Sequence, residues 1–259
     1  MLGKPRVIRG MYRMGGMMAK RSAFLDIIKE KGALVLDGAL GTELERYGCD
    51  IQYKLWSAKV LMDQPDIIKK IHISYLAAGA DIIQSSGYQA TVAGFKGLGY
   101  GTEEAIDLVK LSVRLAVQAR NEFLEAKASG ALTLRGIKLG EETPEGVRYF
   151  SEGALPKPLV AASVGPYGAF LADGSEYRGY PDVQTEYLEI FHIPRLALFC
   201  EENPDILSFE TIRLMLKRLL LRELCLIRLH PKVFPDGLLF PVKMGTMFLV
   251  AKPLLNVHK

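Results

Sequence analysis

Ala33-Leu-Val-Leu-Asp-Gly-Ala-Leu-Gly-Thr-Glu-Leu44 opens with four apolar residues and breaks at Asp37-Gly38. A short continuous apolar run closed by a turn-forming pair is the pattern of a strand buried on both faces. Three later runs repeat it: Ala80-Asp-Ile-Ile83, Leu159-Val-Ala-Ala-Ser163 and Asp205-Ile-Leu-Ser-Phe209. Helical stretches lie between them. Residues 66–78 follow Pro65 and precede Gly79, the proline-first, glycine-after order of a helix. With Thr102 as N-cap and Glu103 and Glu104 favouring the dipole, the next helix puts Ile106, Val109, Val113, Ala116 and Val117 on one face and stops at Gly130. Residues 182–201 read as another helix, which Pro194 is expected to kink or divide. A short helix over 23–30 precedes the first strand. Residues 130–157 read as an exposed loop, and 165–180 as a long Gly/Tyr loop.

Strands alternating with helices predict an α/β protein with a parallel sheet. Every predicted strand runs into a polar tract: Asp37-Gly38, residues 84–89, residues 163–167 and Glu210-Thr211. In a (β/α)8 barrel the site lies at those carboxyl ends, and a doubly wound sheet obeys a similar rule, so the alternation leaves both architectures open.

The chain has 259 residues, 49% hydrophobic and 24% charged, which excludes disordered and fibrous classes. No stretch has the ~20 apolar residues of a membrane span. The net charge of +4 is unevenly placed. Residues 1–22 hold six Lys/Arg and no acid, and residues 212–259 hold nine Lys/Arg against two acids. The centre, 23–211, carries 27 acids against 18 Lys/Arg, so no basic face for nucleic acid is expected there. The leader 1–22 is expected to be disordered, an extension from an upstream start rather than a targeting peptide. Three cysteines, Cys49, Cys200 and Cys225, are too few for a disulfide framework. A reducing, cytoplasmic setting is the expectation, with a mitochondrial one as the alternative. His72 sits within a helix and reads as a packing or surface residue.

Leu36-Asp-Gly-Ala-Leu-Gly-Thr-Glu-Leu44, Leu55-Trp-Ser-Ala58, Ala78-Gly-Ala-Asp81 and Ser86-Gly-Tyr-Gln-Ala-Thr91 occur in that order. Ser163-Val-Gly-Pro-Tyr-Gly168, Leu171-Ala-Asp-Gly-Ser-Glu-Tyr-Arg-Gly179 and Phe209-Glu-Thr211 complete the set. Over residues 24–211 the chain resembles the homocysteine S-methyltransferase family, particularly its S-methylmethionine-dependent branch. The resemblance implies a (β/α)8 TIM barrel and transfer of methyl to homocysteine, giving methionine. It implies S-methylmethionine as partner substrate, with betaine or another donor as the alternative. It also implies a zinc ion, held by three cysteines, that keeps the homocysteine sulfur as thiolate. Asp37 and Gly38 resemble the tract that holds the amino-acid end of homocysteine, and Glu210 the glutamate that pairs with its ammonium. A turn-forming role for Asp37 and a solvated one for Glu210 are the plain alternatives. Tyr88 and Gln89 are candidates for pocket lining or for loop packing. Asp173, Tyr177 and Arg178 match the family loop and are expected to order it.

None of the three cysteines lies in a tract resembling the family's zinc ligands, so no catalytic or metal-ligating residue is assigned and the chain is not expected to bind zinc. After Ile212 the character changes: residues 212–259 contain 13 leucines in 48 positions. Four strand units are complete by residue 211, and the remainder is too short for four more, so only about the first half of the barrel is expected. The tail reads as out-of-frame sequence, from a shift or splicing error near Ile212 that the coding DNA would reveal. An inactive chain is the expectation, with a non-catalytic fragment acting by association as the alternative.

Overall fold

The computed structural model describes residues 28, 32–51, 57–129, 133–134, 137–138, 157–211, 238–241 and 247–250. The predicted helix over 23–30 lies outside them except for Ile28, which is helical. Much of the predicted loop 130–157, the leader and most of the tail also lie outside. In chain order the helices are α1 Leu40–Arg46, α2 Ser57–Asp63, α3 Pro65–Ala77, α4 Val92–Gly97, α5 Thr102–Ala128, α6 Tyr167–Leu171, α7 Ser175–Arg178 and α8 Thr185–Glu201. The strands are β1 Ile82–Gln84, β2 Thr133–Leu134, β3 Ile137–Lys138, β4 Leu159–Val164, β5 Ile206–Phe209, β6 Leu238–Pro241 and β7 Met247–Val250. β2 and β3 form a small antiparallel pair within the stretch read as a loop.

The parallel α/β core is present. Ile82 pairs with Leu159 and Ala161 with Ile206, so β1, β4 and β5 run side by side in one direction. All residues of β4 and β5 are buried, as continuous apolar runs require. The run 33–36 departs from the expectation. It makes a single parallel bridge, Leu36 to Ile82, with Val35 56% and Leu36 37% exposed. Part of its backbone pairing goes to a side chain, since Val35 N–H donates to the Asp81 carboxylate at 2.9 Å. That replaces a ladder bond and leaves an edge segment rather than a buried strand.

The order changes at the other edge. β7 pairs antiparallel with β5, and β6 antiparallel with β7. The tail read as unmatched thus contributes two strands, and they do not continue the parallel order.

α5 buries Val109, Val113, Ala116, Ala119 and Phe123 against the sheet side, following the 3.6-residue period. Val109, Val113 and Ala116 fall on the predicted face, while Ile106 and Val117 are only partly buried. Its N-cap is Gly101 rather than Thr102: the Glu104 carboxylate accepts from Gly101 N–H at 2.9 Å, and Thr102 is already helical. Within 165–180 the chain folds two short helices, α6 and α7, where a loop was expected. α8 begins at Thr185 and runs unbroken through Pro194. That proline is exposed, and so is Ile190 one turn earlier, so water can solvate the carbonyl that loses its partner.

Thr91 caps α4, its hydroxyl accepting from Gly94 N–H at 3.0 Å while the residue is buried. Thr91→Ala is expected to cost about 1 kcal/mol, measured as a lower urea midpoint. An unchanged midpoint would show that the cap contributes nothing. Among the described residues, no helix is long and apolar enough to cross a membrane.

Candidate functional site

Asp37, Gly38 and Glu210 come together at the carboxyl end of the sheet, on the wall of one cavity of about 750 Å³. Neighbouring strands place them. Asp37 N–H donates to Ile82 O at 2.9 Å, and Asp37 Oδ2 accepts from Gln84 N–H at 2.8 Å, so the carboxylate sits at the top of β1. Its Oδ1 is buried and makes no hydrogen bond. Glu210 follows β5, where its N–H donates to Val164 O at 3.2 Å and its Oε1 accepts a short bond from the Ser163 hydroxyl at the end of β4. Gly38 leaves a gap that Tyr75 fills: an added Cβ would stand 2.7 Å from Tyr75 Oη.

The two carboxyls are held away from ordinary behaviour. Burial, reinforced by the nearby Glu210 carboxylate and partly offset by the Gln84 N–H, pushes Asp37 up to about 8. Burial pushes Glu210 up to about 7, against the Ser163 hydrogen bond and the charge of Arg195. Glu210 is half-buried rather than freely solvated, and Asp37 spends one oxygen on the backbone of β1. Tyr88 also lines the cavity, its phenol pushed up to about 12, chiefly by burial.

Gln89 turns the other way and donates to Ala169 O at 2.9 Å, which makes it a packing residue. Asp173 and Arg178 order their loop, through Ser175 N–H to Asp173 Oδ1 at 2.8 Å and Arg178 Nη2 to Asp173 O at 2.6 Å. Tyr177 is 58% exposed. His72 is buried within α3 without a hydrogen-bond partner for either nitrogen, and burial lowers it to about 4. It packs as a neutral ring.

Sequence reading missed other lining residues, among them Glu45, Ser85, Ser86 and Ser163. Position signalled three of them, because they lie where a predicted strand meets its polar tract. Ser86 is buried with an unpartnered hydroxyl, and Gln84 Nε2 donates to Ser208 Oγ at 2.9 Å across the inner face of the sheet. Thr211, beside Glu210, adopts a left-handed φ of 59°, a costly conformation for a β-branched residue and one that clusters at functional sites.

The described residues do not fit a zinc ion. Cys49 and Cys200 are buried in the same apolar cluster, and burial pushes the Cys200 thiol up to about 12, the reverse of what a metal ligand needs. Among the described residues no three His, Cys, Asp or Glu side chains converge as a ligand set. Cys225 lies outside them.

A family model described as homocysteine S-methyltransferase matches residues 34–234. Homocysteine S-methyltransferase YbgG of Bacillus subtilis (strain 168) is 44% identical over 179 residues, covering 69% of this chain and 50% of that protein. Homocysteine S-methyltransferase 2 of Arabidopsis thaliana is 43% identical over 190 residues, covering 72% and 53%. Among solved structures, the homocysteine methyltransferase MmuM from Escherichia coli superposes in its oxidized form with a TM-score of 0.65 at 35% identity, over 83% of this chain and 63% of that one. Its metallated form gives 0.60 at 37%, over 79% and 63%. The chain spans about half the length of the curated relatives it matches.

Proposed function

Because the chain belongs to the homocysteine S-methyltransferase family, we propose that its strand-end cavity binds the amino-acid end of homocysteine. The observation that carries this is the convergence of two half-buried carboxyls, one with a buried, unpartnered oxygen, in a cavity whose described lining includes no lysine, arginine or histidine. An ammonium placed between Asp37 and Glu210 would satisfy both and draw both into the ionised state. The side-chain-free backbone at Gly38 offers its N–H groups to the ligand carboxylate. Gly38 also keeps the wall thin enough for Tyr75 to pack behind it.

S-methylmethionine is the proposed methyl donor. A sulfonium cation suits an acid-lined cavity, and 750 Å³ exceeds what one small amino acid fills. In the transfer, the homocysteine sulfur forms a bond to the methyl carbon as the sulfonium C–S bond breaks. The donor leaves as methionine, and homocysteine, having lost its thiol proton, becomes a second methionine. A zinc ion, were one bound, would keep that sulfur as thiolate. The described residues carry no ligand set for it, so we propose that this chain alone binds homocysteine without completing the transfer.

Titration calorimetry of the purified chain with L-homocysteine tests the binding. Glu210→Gln and Asp37→Asn are each expected to weaken it by about tenfold or more, because each removes a charged partner worth about 1.5–3 kcal/mol. Equal affinity in wild type and both variants would overturn the assignment. Metal analysis and a methionine assay with S-methylmethionine test the second part. About one zinc per chain together with turnover would refute it.

A further inference from the structure

Arg195 stands in α8 just before the apolar run Leu196-Ala-Leu-Phe199 and is 3% exposed. Its guanidinium reaches two loops. Nη2 donates to Gly87 O and to Tyr88 O, each at 2.7 Å, and Nη1 donates to Gly165 O at 3.1 Å. Phe199, one turn further along α8, lies beneath the guanidinium at 5.3 Å from ring centroid to carbon. The first loop follows β1 and carries Ser85, Ser86 and Tyr88, and the second follows β4 and Ser163, all of them on the cavity wall.

The two loops press together more closely than side chains permit. A Cβ on Gly87 would stand 2.6 Å from Ser163 O and 2.9 Å from Phe199 Cζ, and one on Gly165 would strike Tyr88 O. Such an approach brings carbonyl groups from both loops into one buried place, where each needs a donor. A planar guanidinium with five N–H groups can serve several carbonyls at once, whereas a lysine ammonium cannot match that spread.

We propose that Arg195 is a positioning residue for the ligand cavity: it fastens the backbone of the loop after β1 to that of the loop after β4, and so fixes the wall on which Ser86, Tyr88 and Ser163 stand. The clamp stands on geometry alone, while its effect on homocysteine rests on the proposed role of the cavity. Arg195 also contributes charge. It favours ionisation of Glu210, which otherwise faces the Asp37 carboxyl, the Ser163 hydroxyl and the Tyr88 phenol. His192, one turn earlier on α8, is held neutral by burial and by Arg195 itself.

Hydrogen exchange on the full chain without ligand tests the clamp. In Arg195→Met, amides of residues 85–90 and of Val164, Gly165 and Tyr167 should exchange at least about tenfold faster while those of α5 keep their wild-type rates. Exchange that rises evenly along the chain, or that stays at wild-type rates in both loops, overturns the proposal. Should Arg195→Met not fold, Arg195→Lys carries the same comparison, because it keeps the charge and loses the fork. Calorimetry with L-homocysteine adds a readout that loosened packing alone would not move. The midpoint of the pH dependence of binding should shift upward in Arg195→Met and return in Arg195→Lys, with affinity still reduced at least about fivefold. A wild-type midpoint in Arg195→Met counts against the proposal. If the wild-type chain binds no homocysteine, the ligand assignment falls, and the exchange result still decides on Arg195.

Discussion

Replacing Asp205 with alanine is expected to cost the fold about 3–5 kcal/mol, measured by urea denaturation of wild type and variant. Asp205 precedes β5, and one of its oxygens does two jobs. Oδ2 pairs with Arg120 Nη1 from α5 and also accepts from Val160 N–H of β4 at 3.0 Å. Both side chains are largely buried, at 7% and 14% exposure. An intact buried pair adds little net stability, because desolvation offsets most of the attraction. Removing one partner is different. It leaves the Arg120 guanidinium buried without its counter-charge and the Val160 N–H without that acceptor. Asp205→Asn keeps an acceptor for Val160 and should cost less than Asp205→Ala. A loss below about 1 kcal/mol in Asp205→Ala would mean that water reaches Arg120 freely.

Acidity should act on the cavity in two opposite senses. Asp37 and Glu210 ionise near 8 and 7 in the fold, against 3.8 and 4.5 when unperturbed. Between about pH 4 and pH 8 the folded chain therefore holds more protons than the unfolded one. By linkage, the stability contributed by these two groups is fullest below about pH 4 and falls as pH rises toward 8. The double variant Asp37→Asn, Glu210→Gln should flatten that fall, read as the urea midpoint at pH 5 and at pH 8.5. Binding of an ammonium ligand runs the other way, since it requires the carboxylates. Affinity for L-homocysteine should rise on the order of tenfold from pH 6 to pH 8. Affinity that is level across that range would show that both carboxyls are already ionised in the free chain.

Much of the candidate site was legible because strand ends are legible. Asp37, Gly38 and Glu210 each follow an apolar run, and a parallel sheet brings such positions to one rim. The fate of residues 33–36 was not. An apolar run reports that a strand is possible, but burial depends on which neighbours cover it, and Asp81, 46 residues away from Val35, took part of its backbone pairing. Pro194 does not divide α8 for a similar reason, since its cost depends on whether the freed carbonyl faces water. Arg195 gave no local signal. Its partners are carbonyl oxygens 30 and more than 100 residues away, and a backbone oxygen has no identity in sequence. The glycines at 87 and 165 hint at the same place, but only the approach of the two loops explains them.

The reversal at β7 has a practical consequence for protein engineering. Met247 pairs with Phe209 and Leu249 with Leu207, so β7 starts level with the cavity mouth and runs down toward the base of the sheet. A segment grafted behind Val250 would depart from the base, a strand's length from Asp37 and Glu210. Complementing the candidate site therefore calls for exchanging the β6–β7 pair for a co-directional strand, not for a graft placed after β7.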